Sequence, residues 1–138
     1  MKYLRLIITL SISFFLLNCS EDQTDTKSET GWKGSSIEFN QQFQKNIEPD
    51  STTILLDSKT KEKFEGLLET NNSSLISKQT YESGKLNGES SLTSINGSRV
   101  DANFKNGKLH GKMILRDSKG NIRSVINYNE GNISPATE

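Results

Sequence analysis

The chain is expected to be mainly β: an extended antiparallel meander of hairpins, with one short helix over residues 36–47 ahead of it. Three observations lead there. A block of about 23 residues recurs in the second half of the chain. Stretches between its glycines alternate apolar and polar side chains with a period of two, the signature of a pleated strand. Pro49 and Pro135 are the only prolines, so the repeats contain no residue that breaks a strand ladder.

The repeat is read by placing Tyr81-Glu82-Ser83-Gly84-Lys85-Leu86-Asn87-Gly88 above Phe104-Lys105-Asn106-Gly107-Lys108-Leu109-His110-Gly111. The common pattern is aromatic-x-x-Gly-Lys-Leu-x-Gly. A partial third copy runs Tyr128-Asn129-Glu130-Gly131-Asn132-Ile133, so the aromatic positions step by 23 and then 24. Gly97 and Gly120 form a second pair, again 23 apart. Seven of the ten glycines fall at these positions, where chance would scatter them.

Each strand between the glycines has one modest apolar face. Val100, Ala102 and Phe104 oppose Arg99, Asp101 and Asn103. Ile122, Ser124, Ile126 and Tyr128 oppose Arg123, Val125 and Asn127, which puts Val125 on the polar side. Met113 and Leu115 alternate with Lys112, Ile114 and Arg116. Asn96-Gly97 and Lys119-Gly120 read as tight turns. The Gly-Lys-Leu-x-Gly segments read as longer turns at the opposite end, with Leu86 and Leu109 folding back under the sheet. From Gly97 to Phe104 is 7 residues and from Gly120 to Tyr128 is 8. The surplus residue requires a bulge or a longer turn near Gly120–Ile122, or the face would invert.

These residues resemble the MORN repeat, in the variant of bacterial proteins often labelled antitoxin components of toxin–antitoxin systems. Tyr81, Gly84, Lys85, Leu86 and Gly88 match the motif, as do Phe104, Gly107, Lys108, Leu109 and Gly111. The resemblance covers roughly residues 75–133 and implies successive antiparallel hairpins in an extended sheet. Family repeats commonly carry Trp and aromatic pairs after the second glycine. Glu89-Ser90-Ser91-Leu92 and Lys112-Met113-Ile114-Leu115 stand there instead. Phe64-Glu65-Gly66 resembles a worn earlier copy, although Phe64 lies only 17 residues before Tyr81.

Upstream, Thr52–Asp57 reads as a strand. Ser35 and Glu38 have the spacing of a capping box. Phe39, Phe43 and Ile47 recur every four residues, a narrow helical stripe that Pro49 would end. An edge strand at Ile37–Phe39 is the alternative. Residues 19–36 are polar apart from Trp32 and have the composition of a disordered tether. Trp32 is either a first docking residue or simply exposed.

The chain opens with Lys2 and Arg5, and Leu6–Leu17 is a mostly apolar run. Twelve residues as a helix span roughly 18 Å, against a bilayer core of roughly 30 Å, so the run suits a secretory signal rather than a stable span. Leu16-Leu17-Asn18-Cys19 resembles the lipobox of bacterial lipoproteins. That resemblance implies a diacylglycerol on the Cys19 thiol, cleavage before Cys19 and an acylated (palmitate-type) new amino terminus. The family usually has Gly, Ala or Ser before the cysteine, where this chain has Asn18. Cys19 is the only cysteine, so no internal disulfide competes for it. The bland alternative is a free thiol after an ordinary signal.

The expected organisation is a signal over 1–18, a lipidated cysteine and tether over 19–36, a lead-in of helix or strand over 37–74, and the β-repeats over 75–134. Without residues 1–18 the chain has 15 basic against 17 acidic side chains, net −2. That balance gives no reason to expect nucleic acid as a partner. His110, the only histidine, sits at the variable repeat position matched by Asn87 and reads as a solvated turn residue. No metal cluster, no nucleophile–base pair and no cofactor motif is visible. Lys85 and Lys108 make a small basic row that serves solubility or a ligand. The expectation is a non-enzymatic, lipid-anchored interaction module of the cell envelope, with an unknown protein partner and the outer membrane favoured over the inner. The alternative is an immunity or antitoxin-like protein facing an envelope-acting toxin.

Overall fold

The computed structural model describes residues 31–135. Residues 1–30, with the signal and Cys19, lie outside that range.

The first element is not a tether. Gly31–Ser35 is a strand, β1, paired in parallel with β4 (Gly66–Asn71), Trp32 opposite Leu68. Trp32 holds it there by meeting Phe39 and Phe43 edge-on at 6.2 and 5.3 Å between ring centroids. The indole lies across Gly34, where an added Cβ would come within 2.6 Å of the ring. A glycine two positions along the same face of an edge strand thus makes the seat for the ring.

Helix α1 spans Ser36–Gln42. Its capping box is formed: the Ser35 hydroxyl accepts from the Glu38 backbone N–H at 3.2 Å, and the Ser35 N–H donates to Glu38 Oε2 at 2.7 Å. The helix stops at Gln42, five residues before the expected end. Phe43 turns extended and opens β2 (Phe43–Ile47), antiparallel to β3 (Thr53–Asp57). Two turns of helix bury little alone, while the extended chain gains a full ladder against β3. Phe39 and Phe43 still reach one core, and Ile47 is left 79% exposed.

From Gly66 onward the chain is a meander. β4, β5 (Leu75–Glu82), β6 (Lys85–Ser94), β7 (Arg99–Lys105), β8 (Lys108–Arg116), β9 (Ile122–Asn129) and β10 (Asn132–Ser134) pair antiparallel, each with the next. With β1 they make an eight-stranded sheet, mainly antiparallel, as expected. It begins at Gly66, before the expected boundary at 75.

The turns are the reverse of the expectation. The Gly-Lys-Leu segments carry the tight ones: Ser83-Gly84, Asn106-Gly107 and Glu130-Gly131 are two-residue turns with positive φ at both positions, the geometry that matches strand twist. Leu86 and Leu109 do not fold back but pair across the hairpins with Tyr81 and Phe104. Asn96-Gly97 and Lys119-Gly120 lie in wider loops that close between Thr93 and Arg99 and between Arg116 and Ile122. Those loops are equal in length, so the surplus residue sits in the strand. Leu115 pairs with Ser124 and Arg116 with Ile122, leaving Arg123 as a bulge just past the expected Gly120–Ile122. The second repeat glycines, Gly88 and Gly111, mark another irregularity. Register jumps between Gln79 and Tyr81 and again between Ala102 and Phe104, each time with two extra residues on the following strand. The jump is even, so the apolar face is kept.

Phe43, Leu55, Leu68 and Tyr81 form the buried core, with Trp32, Phe39, Phe64 and Leu86 packed on it. An edge-to-face chain runs Phe43–Phe64–Tyr81 at 5.2 and 5.7 Å. Thus α1 and the β2–β3 hairpin form a cap over one half of one sheet face.

Candidate functional site

The repeats bring their turns to one end of the sheet in a hydrogen-bonded staircase. The N–H of Gly84, Gly107 and Gly131 donates to the carbonyl of Phe64, Leu86 and Leu109 in turn, at 3.0, 2.8 and 2.8 Å. Phe64 therefore occupies the position of Leu86 and Leu109, not that of Tyr81. The worn copy is present, shifted along the motif: Lys63-Phe64-Glu65-Gly66 corresponds to Lys85-Leu86-Asn87-Gly88 and to Lys108-Leu109-His110-Gly111.

The variable position has a shared task. Ser83 N–H donates to Glu65 Oε1 at 2.5 Å, and Asn106 N–H donates to Asn87 Oδ1 at 3.1 Å. Asn87 is steadied by a hydrogen bond from its amide to Glu82. His110 is the third member and stands in β8, partly buried, not in a solvated turn. Its Nδ1 is buried and has no hydrogen-bond partner among the described residues. Sequence comparison of the two copies paired Asn87 with His110 but gave no sign of this task, because its acceptor is the next turn.

The same end carries a cleft of about 350 Å³ lined by Asp50, Lys85, Lys105, Asn106, Lys108 and Glu130. The strand pairing sets Lys105 opposite Lys108. The β2–β3 loop closes one side, its Thr52 lying under Gly107. Lys85 Nζ meets Glu48 Oε2 at 2.6 Å, and that contact raises the Lys85 pKa against the effect of burial. The Asp50 carboxylate accepts from the Thr52 hydroxyl at 2.6 Å and from its N–H at 3.0 Å. These bonds, with Lys85 and Lys108 nearby, hold Asp50 below the ordinary aspartate pKa. The expected Lys85/Lys108 row thus exists, joined by Lys105. The acidic partners Glu48 and Asp50 come from a hairpin that the repeat does not include. Three ammonium groups face three carboxylates, and the lining contains no serine, threonine, cysteine or histidine.

Tyr81 is buried, and desolvation pushes its phenol up to about 12. Phe104 and Tyr128 stand at the ends of β7 and β9, half-buried. Gly97 and Gly120 sit in the loops at the far end, where Asp117 Oδ1 accepts from the Lys119 and Asn121 N–H groups at 2.9 Å each. The sheet face opposite the cap carries ion pairs, Lys33–Glu69 at 2.6 Å, Lys78–Glu69 at 3.1 Å and Arg99–Asp101 at 2.6 Å, among scattered exposed apolar side chains, Leu67, Ile76 and Val125. Among the described residues no group of three His, Cys, Asp or Glu side chains converges as a metal site, and no helix is long and apolar enough to cross a membrane. Comparison with protein-family models, curated proteins and solved structures returns no match.

Proposed function

We propose that the protein is a lipid-anchored interaction module of the cell envelope, attached through Cys19 and without catalytic activity. One observation carries this reading: the apolar run Leu6–Leu17 ends on Leu16-Leu17-Asn18-Cys19, which places the only thiol of the chain where lipoprotein processing acts. Two or three acyl chains, each buried methylene contributing about 0.8 kcal/mol, hold a domain of this size firmly. The module is then the capped sheet. Its wide faces and balanced charges suit protein contact, and its resemblance to bacterial MORN variants supports a binding role.

The test is metabolic labelling with an alkyne fatty acid, followed by membrane fractionation. The parent takes up label and pellets with membranes. Cys19→Ser takes up none and leaves the membrane fraction. A Cys19→Ser protein that still labels, or a parent that never does, overturns the anchor.

A further inference from the structure

The apolar packing of the cap ends at Leu86, and its β2–β3 loop reaches only the Gly107 turn, but the face it covers runs on. Strand pairing extends that face across β6–β10, with Leu92, Val100 and Leu115 in one cross-strand row and Ala102, Met113 and Ile126 in the next. Of the buried apolar residues, Phe43, Ile54, Leu55, Leu68 and Tyr81 belong to the capped half and Ala102 alone to the uncapped half. Leu92 is 37% exposed and Ile133, on the last strand, 73%.

We propose that a second copy of this chain covers this face, joining two sheets through their uncapped halves. Size, charge and shape argue for a copy. Five strands about 4.8 Å apart and about six residues long, at about 3.3 Å per residue, give a footprint near 480 Å². Two such faces together remove about 1,000 Å² from water, the threshold for a specific interface. The rows contain no Asp, Glu, Lys or Arg, so a copy brings no like charge against itself, whereas the opposite face carries Lys78, Arg99, Asp101 and Arg116. Two sheets of one twist pack face to face at about 10 Å, completing the second layer that the cap begins. The proposal rests on reading the sheet as an interaction module and not on the anchor.

The test uses the full-length chain in whole cells. Ser124→Cys puts a thiol on the uncapped face, and Ser91→Cys puts one on the opposite face. With a short bis-maleimide, Ser124→Cys is expected to give a band of twice the chain mass and Ser91→Cys none. Met113→Glu, introduced into the Ser124→Cys chain, is expected to remove that band, with Ile126→Lys as a second disrupting change. Circular dichroism of the purified variants checks that the sheet persists. No band from Ser124→Cys, equal bands from both thiols, or a band joining a different protein overturns the second copy. The last result leaves the interaction module standing. A dimer band from the parent chain would report a free Cys19 thiol, which overturns the anchor instead.

Discussion

Gly84 and Gly131 hold the same repeat position, with φ of +76° and +87°, yet their surroundings differ. A Cβ on Gly84 would meet Ile54 Cγ2 at 2.7 Å and the Leu55 carbonyl oxygen at 2.9 Å, while one on Gly131 would meet nothing within 4 Å. Alanine at either site takes on the left-handed backbone strain of about 1–2 kcal/mol. At Gly84 it must also displace β3, an overpacking cost of about 1–3 kcal/mol. It further disturbs the Leu55 N–H bond to the Gly84 carbonyl at 2.7 Å. Gly84→Ala is therefore expected to destabilise by about 2–5 kcal/mol and Gly131→Ala by about 1–2 kcal/mol. Urea unfolding at equilibrium, read by circular dichroism with matched slopes, measures both. Equal losses would refute the claim that the cap is seated on the first turn.

Two further outcomes follow from the staircase and the core. His110→Asn places at the third position the side chain that bonds Asn106 N–H from Asn87, and is expected to stabilise by about 0.5–1.5 kcal/mol. Slower hydrogen exchange of the Glu130 amide would accompany it, and an unchanged amide would deny the shared task. Tyr81 gives an alkaline signature. Its folded-state pKa is raised to about 12, so the neutral phenol is favoured in the native state. Stability is full below the unfolded phenol value of about 10 and falls as pH rises towards 12. Urea midpoints from pH 9 to 12 should fall for the parent and stay flatter for Tyr81→Phe.

The meander was legible because its cues are local. An alternating strand between turn glycines reveals itself within ten residues, although which turns are tight does not. β1 was not legible, since Gly31-Trp32-Lys33-Gly34-Ser35 has no alternation of its own and is held by Phe39, Phe43 and the distant Leu68. The helix ends short of residue 47 because a spacing of four, Phe39 to Phe43, also suits a short helix turning into a strand. Ring type pairs Phe64 with Tyr81, whereas hydrogen bonding places Phe64 with Leu86. Of the cleft, Lys85 and Lys108 were visible as repeat positions, but Glu48 and Asp50 enter from a separate hairpin.

The parallel pairing of β1 has a consequence in time. Every other strand of the large sheet meets its partner across a turn or loop of a few residues. Gly31 meets Leu67, 36 positions later, and closing so long a stretch is slow compared with forming a hairpin. In a chain that emerges N-terminus first, Trp32 appears before β4 exists to receive it. The segment closest to Cys19 therefore waits, unpaired, until β4 has followed it.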